Sequence, residues 1–228
     1  MPNISIIGCG WLGLPLSQKL KESYEVECFS REHTKDNSLF WQADTFIIAI
    51  NTKNNYLDTL KKIINLTSLD SNLILMSSTS VYREFDCEVD EETKITNIKL
   101  QREAELLLLN SKQNTLVLRL GGLMGEDRIS GKWKNVSTFS DGEVNYIHKD
   151  DVINVVKNFL HSDIKNGIYN LVAPLHPLRS EVHKKNALKF NLKLGTFEGK
   201  TSRIVSSAKL LKDLDYKFIY PDPLKFWD

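Results

Sequence analysis

Six residues near the start of the chain, Gly8-Cys9-Gly10-Trp11-Leu12-Gly13, have a spacing that can bind a pyrophosphate. In a G-x-G-x-x-G loop the first glycine permits a tight turn. The second lets the backbone approach the phosphates, and the third lets a helix pack closely on its strand. Here the loop follows the β-branched run Asn3 to Ile7, which reads as a buried strand. It precedes Leu12, Leu14, Leu16 and Leu20, spaced among polar residues as in an amphipathic helix. Pro15 falls in the first turn, where a missing N–H is tolerated. The helix start would offer free N–H groups and a partial positive charge to an anion. Gly8, Gly10, Trp11, Leu12 and Gly13 are therefore the expected contacts of a dinucleotide such as NADP or NAD. A plain strand-turn-helix that uses its glycines for packing is the alternative.

A second signal concerns the ribose. About twenty residues after such a loop, an NAD site usually carries an acidic residue for the ribose hydroxyls. This chain has Cys28-Phe29-Ser30-Arg31 instead. Arg31 could pair with a 2′-phosphate and Ser30 could donate to it, which favours NADP. Otherwise Arg31 is a surface arginine in a polar loop.

The third signal is Met76-Ser77-Ser78-Thr79-Ser80-Val81-Tyr82, four consecutive hydroxyl residues at the end of an apolar run. They are too polar for a core. At the carboxyl edge of a parallel sheet they face the place where doubly wound folds bind ligands, although a turn or helix cap would also use them.

The elements that would position these groups alternate along the chain. Strands are expected over 24–29, 45–50, 72–77, 115–120 and 167–172, and helices over 55–66, 98–109 and 149–161. The uninterrupted run Thr45 to Ile50 suits a strand covered on both faces. This alternation predicts an α/β fold of the Rossmann type, a doubly wound parallel sheet with helices on both faces. Residues 121–145 read as a long loop with little core, and the proline-bearing tail as a small C-terminal lobe. The expected division is a nucleotide-binding domain over 1–120, with 121–228 completing the sheet and forming a reduced lobe packed as one unit with it.

Composition narrows the function. Thirty basic and 29 acidic residues among 228 give a net charge of +1, without the basic surplus of a nucleic-acid binder. No apolar run spans a bilayer, and the first twenty residues lack the basic lead of a signal peptide, so a cytoplasmic protein is expected. Cys9, Cys28 and Cys87 are scattered and odd in number, which argues against a disulfide framework or a zinc site.

Taken in order, the glycine loop, Ser77 to Tyr82, Arg119 to Gly125, Tyr146 to Val152 and Gly167 to Asn170 form a set. The chain over about 3–172 resembles the extended short-chain dehydrogenase/reductases of the NAD-dependent epimerase/dehydratase type. The tail segment Tyr220-Pro221-Asp222-Pro223 is similar to a small bacterial branch of that group. The resemblance implies a bound NADP or NAD and a small-molecule substrate, often a nucleotide sugar in that family. It implies that Ser78 is the catalytic serine, that Ser77 belongs with the cofactor site, and that Gly121 and Gly122 pass near the nicotinamide end. It also implies structural roles for His148 and Asp151. Partners are thus a dinucleotide and a small molecule, with no nucleic acid or membrane, and a homo-oligomer is left open.

One departure stands out. The family's catalytic pair is a tyrosine followed four residues later by a lysine, and those positions fall on Asn97 and Gln101. An amide pair can neither donate nor accept a proton as a phenol does beside an ammonium. Lys99 is expected to leave the helix on another side. Tyr82 and Tyr146 are the substitutes at hand. An oxidoreductase or epimerase with an altered site, and a non-catalytic NADP(H) sensor that binds a partner, both remain open.

Overall fold

The computed structural model describes residues 3–29, 40–52, 55–83, 86–96, 99–132, 137–200 and 202–228. Ser30, Arg31 and Asn97 lie outside the described residues.

The chain begins with β1 (Asn3–Ile7), α1 (Gly13–Leu20), β2 (Glu25–Phe29), β3 (Thr45–Ile48), α2 (Tyr56–Leu66) and β4 (Asn72–Ser78). It continues through β5 (Cys87–Val89), α3 (Leu100–Leu109), β6 (Asn114–Leu120), β7 (Gly122–Met124), β8 (Thr138–Asp141) and β9 (Tyr146–His148). The last elements are α4 (Lys149–His161), β10 (Gly167–Leu171), α5 (Arg179–Phe190), β11 (Thr196–Lys200), β12 (Arg203–Val205) and α6 (Ala208–Leu214).

A six-stranded sheet in the order β10-β6-β4-β3-β1-β2 forms the centre of the fold, and β1 pairs in parallel with both β2 and β3. The chain winds outward from β1 to β2, then crosses back to start β3 on the other side of β1. That reversal is the position where Rossmann-type sheets open a crevice. The fold is α/β and Rossmann-type, as the alternation predicted.

Two compact units are distinguished by their internal contacts. The first comprises 1–81, 96–119 and 156–169, and the second 82–95, 120–155 and 170–228. In the first, Phe46, Ile48, Leu60, Leu73, Leu75, Leu108 and Val117 are buried in one cluster. Strand β3 is buried along its whole length, which is why its sequence carries no polar alternation.

The second unit differs from its expectation. Residues 121–145 were to be a loop with little core, yet they carry β7 and β8, and Met124, Ile129, Ser130 and Val144 are buried. Strands of three or four residues are too short to leave a readable period in the sequence. Met124, Val144, Tyr146, Ala173, Val182 and Phe226 form this unit's core. Asp151 has the structural role expected of it. Its buried carboxylate accepts from the Tyr216 hydroxyl at 2.7 Å and from the Ile219 and Tyr220 N–H groups at 2.8 and 3.0 Å. His148 lies ring to ring with Tyr220 at 3.9 Å between centroids. Burial is the main force lowering its pKa, so the ring is held toward its neutral form.

Candidate functional site

The three loop glycines are glycine for different reasons. Gly8 adopts φ +112°, and a Cβ there would lie 2.6 Å from the Ala49 carbonyl oxygen at the end of β3. At Gly13 a Cβ would fall 1.9 Å from the Gly8 carbonyl oxygen. Both positions are closed by the protein's own backbone. Among the described residues nothing lies within 4 Å of such an atom on Gly10, which is exposed. Neither a neighbouring atom nor a left-handed backbone requires glycine there. A methyl would project into open space beside the loop.

The helix that follows is open to an anion. Leu14 N–H donates to Gly10 O at 3.0 Å, so the helical turn starts inside the loop. Leu12 stands at the N-cap without a capping side chain, and the first turn has no acidic residue. The orphan N–H groups of that turn therefore keep their affinity for negative charge. Leu12 is buried and Trp11 half-buried.

Beside this loop lies a disulfide that sequence spacing argued against. Cys9 and Cys28 are bonded, with their Cα atoms 5.7 Å apart. The expectation failed because it looked for local spacing and an even count. The parallel pairing of β1 with β2, extended by Gly8 N–H donating to Phe29 O at 2.9 Å, brings two cysteines 19 residues apart side by side. Cys87 remains free and exposed.

At the end of β4 the hydroxyl run is largely engaged from within. Ser77 Oγ donates to Glu105 Oε1 at 2.7 Å. Glu105 is fully buried and also binds Arg119 through both oxygens, at 3.0 and 2.8 Å, while Arg102 adds a contact of 3.0 Å. Arg119 is 1% exposed, so this is a desolvated bidentate pair under the strand end. Burial, reinforced by the Glu105 charge, pushes the nearby Tyr56 phenol up to about 12. Ser78 Oγ accepts the Ser80 N–H at 3.1 Å, which leaves its own proton to donate.

Lys99 corrects a second expectation. Its Nζ donates to the Ser80 carbonyl oxygen at 2.7 Å, so it reaches the hydroxyl run directly. The helical-wheel argument assumed that residue 99 lies inside the helix. It is the N-cap instead, with extended backbone at φ −90° and ψ 161°, and helical geometry begins one residue later. Gln101 lies in the first turn of α3 and is half-buried.

In the second unit, Tyr82 is 1% exposed and its hydroxyl donates to Asn170 Oδ1 at 2.9 Å. Tyr146 is buried and accepts from the Ser130 hydroxyl at 2.9 Å, and burial raises its pKa. The glycines at 121 and 122 are fixed from inside. A Cβ on Gly121 would meet the Asn145 oxygen at 2.5 Å, and one on Gly122 the Tyr146 ring at 2.6 Å. A pocket of about 190 Å³ opens elsewhere in the first unit, lined by Ile4, Asp44, Asn72 and Lys165. It sits at the amino-terminal ends of the strands, at the sheet edge opposite the glycine loop.

No protein-family profile matches the chain. It is 28% identical to Protein YeeZ of Escherichia coli K12 over 273 aligned positions, covering 98% of each chain. Its structure is similar to that of dTDP-glucose 4,6-dehydratase from Bacillus anthracis in complex with NAD. The TM-score is 0.78 at 13% identity, over 99% of this chain and 95% of that one. It is also similar to human epimerase family protein SDR39U1 with NADPH, with a TM-score of 0.72 at 13% identity, over 97% and 96%. The chain shares the Rossmann-type fold of these proteins.

Within this fold, the structure brings two of the sequence-derived groups to one sheet edge. The glycine loop follows β1 and the Ser77–Ser80 run ends β4 and continues past it, with β3 between their strands. Two features escaped the sequence reading. The Glu105–Arg119 pair joins a helix to a strand 14 residues later, a spacing with no local signature. The only hint of the Lys99 contact was a lysine between the two amides.

Proposed function

We propose that this chain is an atypical epimerase/dehydratase-type protein that binds a nicotinamide dinucleotide through the loop Gly8 to Gly13. The carrying observation is Gly10, a glycine that the fold does not need, beside an uncapped helix start. Backbone N–H groups of that turn hold the pyrophosphate, and Gly10 lets the loop lie close to it. Ser30 and Arg31 follow β2 and would take a 2′-phosphate, which makes NADP(H) the preferred form. When bound, the dinucleotide supplies a hydride donor or acceptor.

The chain's own contribution to chemistry is reduced. Ser78 donates its hydroxyl proton to a substrate oxygen, and the Lys99 ammonium, anchored on Ser80 O, adds positive charge at the same strand end. Neither group replaces a phenol of lowered pKa. The substrate is a small molecule, and the protein works in the cytoplasm. A second reading, a dinucleotide sensor without turnover, is favoured by the engaged hydroxyls of Tyr82 and Tyr146 and by the amide at Gln101.

Calorimetry with NADPH and NADH on the parent and on Gly10→Val tests the binding reading. The parent binds both, NADPH more tightly. The variant keeps its unfolding midpoint and loses affinity by roughly a hundredfold or more, about 2.7 kcal/mol. Equal affinity in parent and variant overturns the assignment of the loop. A preference for NADH overturns the assignment of Arg31.

A further inference from the structure

Under the dinucleotide reading of the loop, which this inference rests on, we propose that Cys9 and Cys28 form a redox gate on that site. The bridge does not sit where the fold needs a staple. Strands β1 and β2 are already paired over all five residues, Asn3 with Glu25 through Ile7 with Phe29. It ties instead the residue between Gly8 and Gly10, the part of the loop that lies beyond that ladder. One end of the tether is therefore in the phosphate-binding loop. The other is two residues before Ser30, on the strand that leads to the ribose-binding positions.

The consequence follows from the loop's conformation. With the bridge in place, Gly8 has its left-handed turn and Gly13 is seated on the Gly8 carbonyl. The bridged state is thus compatible with a formed cradle. Opening the bridge frees Cys9 in a loop whose next residue, Gly10, is held by its carbonyl oxygen on Leu14 N–H and, among the described residues, has open space where a side chain would stand. The free loop then samples more conformations, and binding must order it again. A tether that restricts the unbound state in its bound shape tightens binding without a new contact. The oxidised protein is the tighter binder.

Both cysteines are half-buried. Closure proceeds by exchange with a low-molecular-weight disulfide such as glutathione disulfide. One cysteine thiolate attacks it and releases one thiol, giving a mixed disulfide. The other cysteine thiolate then displaces the second thiol. Two protein thiols lose two electrons and two protons, and the external disulfide becomes two thiols. An excess of a dithiol reverses both steps. In a thiol-rich compartment a bridge of this kind responds to redox state, whereas permanent staples belong to oxidising ones.

The test compares NADPH affinity of the intact protein after glutathione disulfide and after dithiothreitol, with maleimide labelling to count thiols. Cys87 is the internal control. One label per chain is expected in the oxidised state and three in the reduced state. The oxidised protein binds NADPH about three- to tenfold more tightly. Cys9→Ser and Cys28→Ser bind like the reduced parent under both conditions. Equal affinities in two states whose thiol counts differ overturn the gate and leave the dinucleotide reading standing. So does tighter binding by the reduced protein. Three labels after oxidation overturn the bridge itself. No binding in either state overturns the dinucleotide reading and the gate together.

Discussion

The glycine loop after β1 and the hydroxyl run after β4 end neighbouring parts of one sheet, yet they are held in opposite ways. The loop leaves its helix start without a capping side chain among the described residues, and a side chain at Gly10 would face open space. The run turns its polar groups inward. Ser77 rests on a buried Glu105–Arg119 pair, Ser78 accepts from Ser80, and Lys99 is anchored on the Ser80 carbonyl. A binding element is recognisable by what the protein leaves unsatisfied at its surface. A supporting element is recognisable by how many of its groups the protein has already used. By this measure the proposed dinucleotide site is better supported than a proton-transfer site.

The largest expected effect breaks the support under the hydroxyl run. Glu105→Ala leaves Arg119 buried without its bidentate partner, which destabilises by about 3–5 kcal/mol. Urea denaturation reads this as a lower midpoint at constant slope. The folded remainder binds NADPH within about threefold of the parent, because the loop's contacts do not pass through Glu105. If affinity falls in step with stability, the two regions are not independent and the contrast between them fails.

A smaller effect comes from a buried histidine of the second unit. His183 is buried against Phe139 and Phe197, with Arg179 and Asp141 as its charged neighbours. Burial first, then the Arg179 charge, lowers its pKa to about 4 from an ordinary 6.5. Between those values the unfolded chain binds a proton that the folded chain refuses. Stability therefore rises with pH across about 4 to 6.5 and is lost as pH falls through that window. The slope from this one group is at most about 1.4 kcal/mol per pH unit. His148 and His176, also lowered mainly by burial, add in the same direction. His183→Phe flattens the dependence of the urea midpoint on pH. An unchanged slope places the responsible proton elsewhere.

What the sequence revealed of this contrast was uneven, for physical reasons. Buried strands such as Thr45 to Ile48 advertise themselves, because both faces exclude polar residues. The loop was legible because a strand, three glycines and a helix follow one another within a few residues. The Cys9–Cys28 bridge was not, since it depends on which strands become neighbours and in what register. Lys99 was misread because its direction depends on where α3 begins, and helix starts are the least determined part of a periodic pattern. Glu105 carries no local sign of its burial, because its partner Arg119 lies on another element 14 residues later.

The smallest expected effect concerns what chemistry is left at the hydroxyl run. Under the proposed reading, with amides in place of the phenol–ammonium pair, general acid–base help worth about 10²–10⁴ in rate would be missing. Hydride transfer from NADPH to simple aldehydes or to sugar nucleotides is then slow, even with the cofactor bound. Whatever rate remains depends on Ser78, whose proton is free to donate while Ser80 N–H fixes its oxygen. It also depends, more weakly, on the Lys99 charge. Ser78→Ala removes the donor and lowers the residual single-turnover rate by about tenfold, roughly 1.4 kcal/mol. Lys99→Met keeps the stem but not the charge and lowers it by less. Both variants keep NADPH affinity within about threefold of the parent, which distinguishes a loss of chemistry from a loss of binding. Brisk turnover that survives Ser78→Ala and vanishes with Tyr82→Phe, Tyr146→Phe or His148→Gln would show that another acid had taken over. The hydroxyl run would then be a support alone. Silence across all substrates, with NADPH still bound, would leave a sensor whose serine run has kept only its structural half.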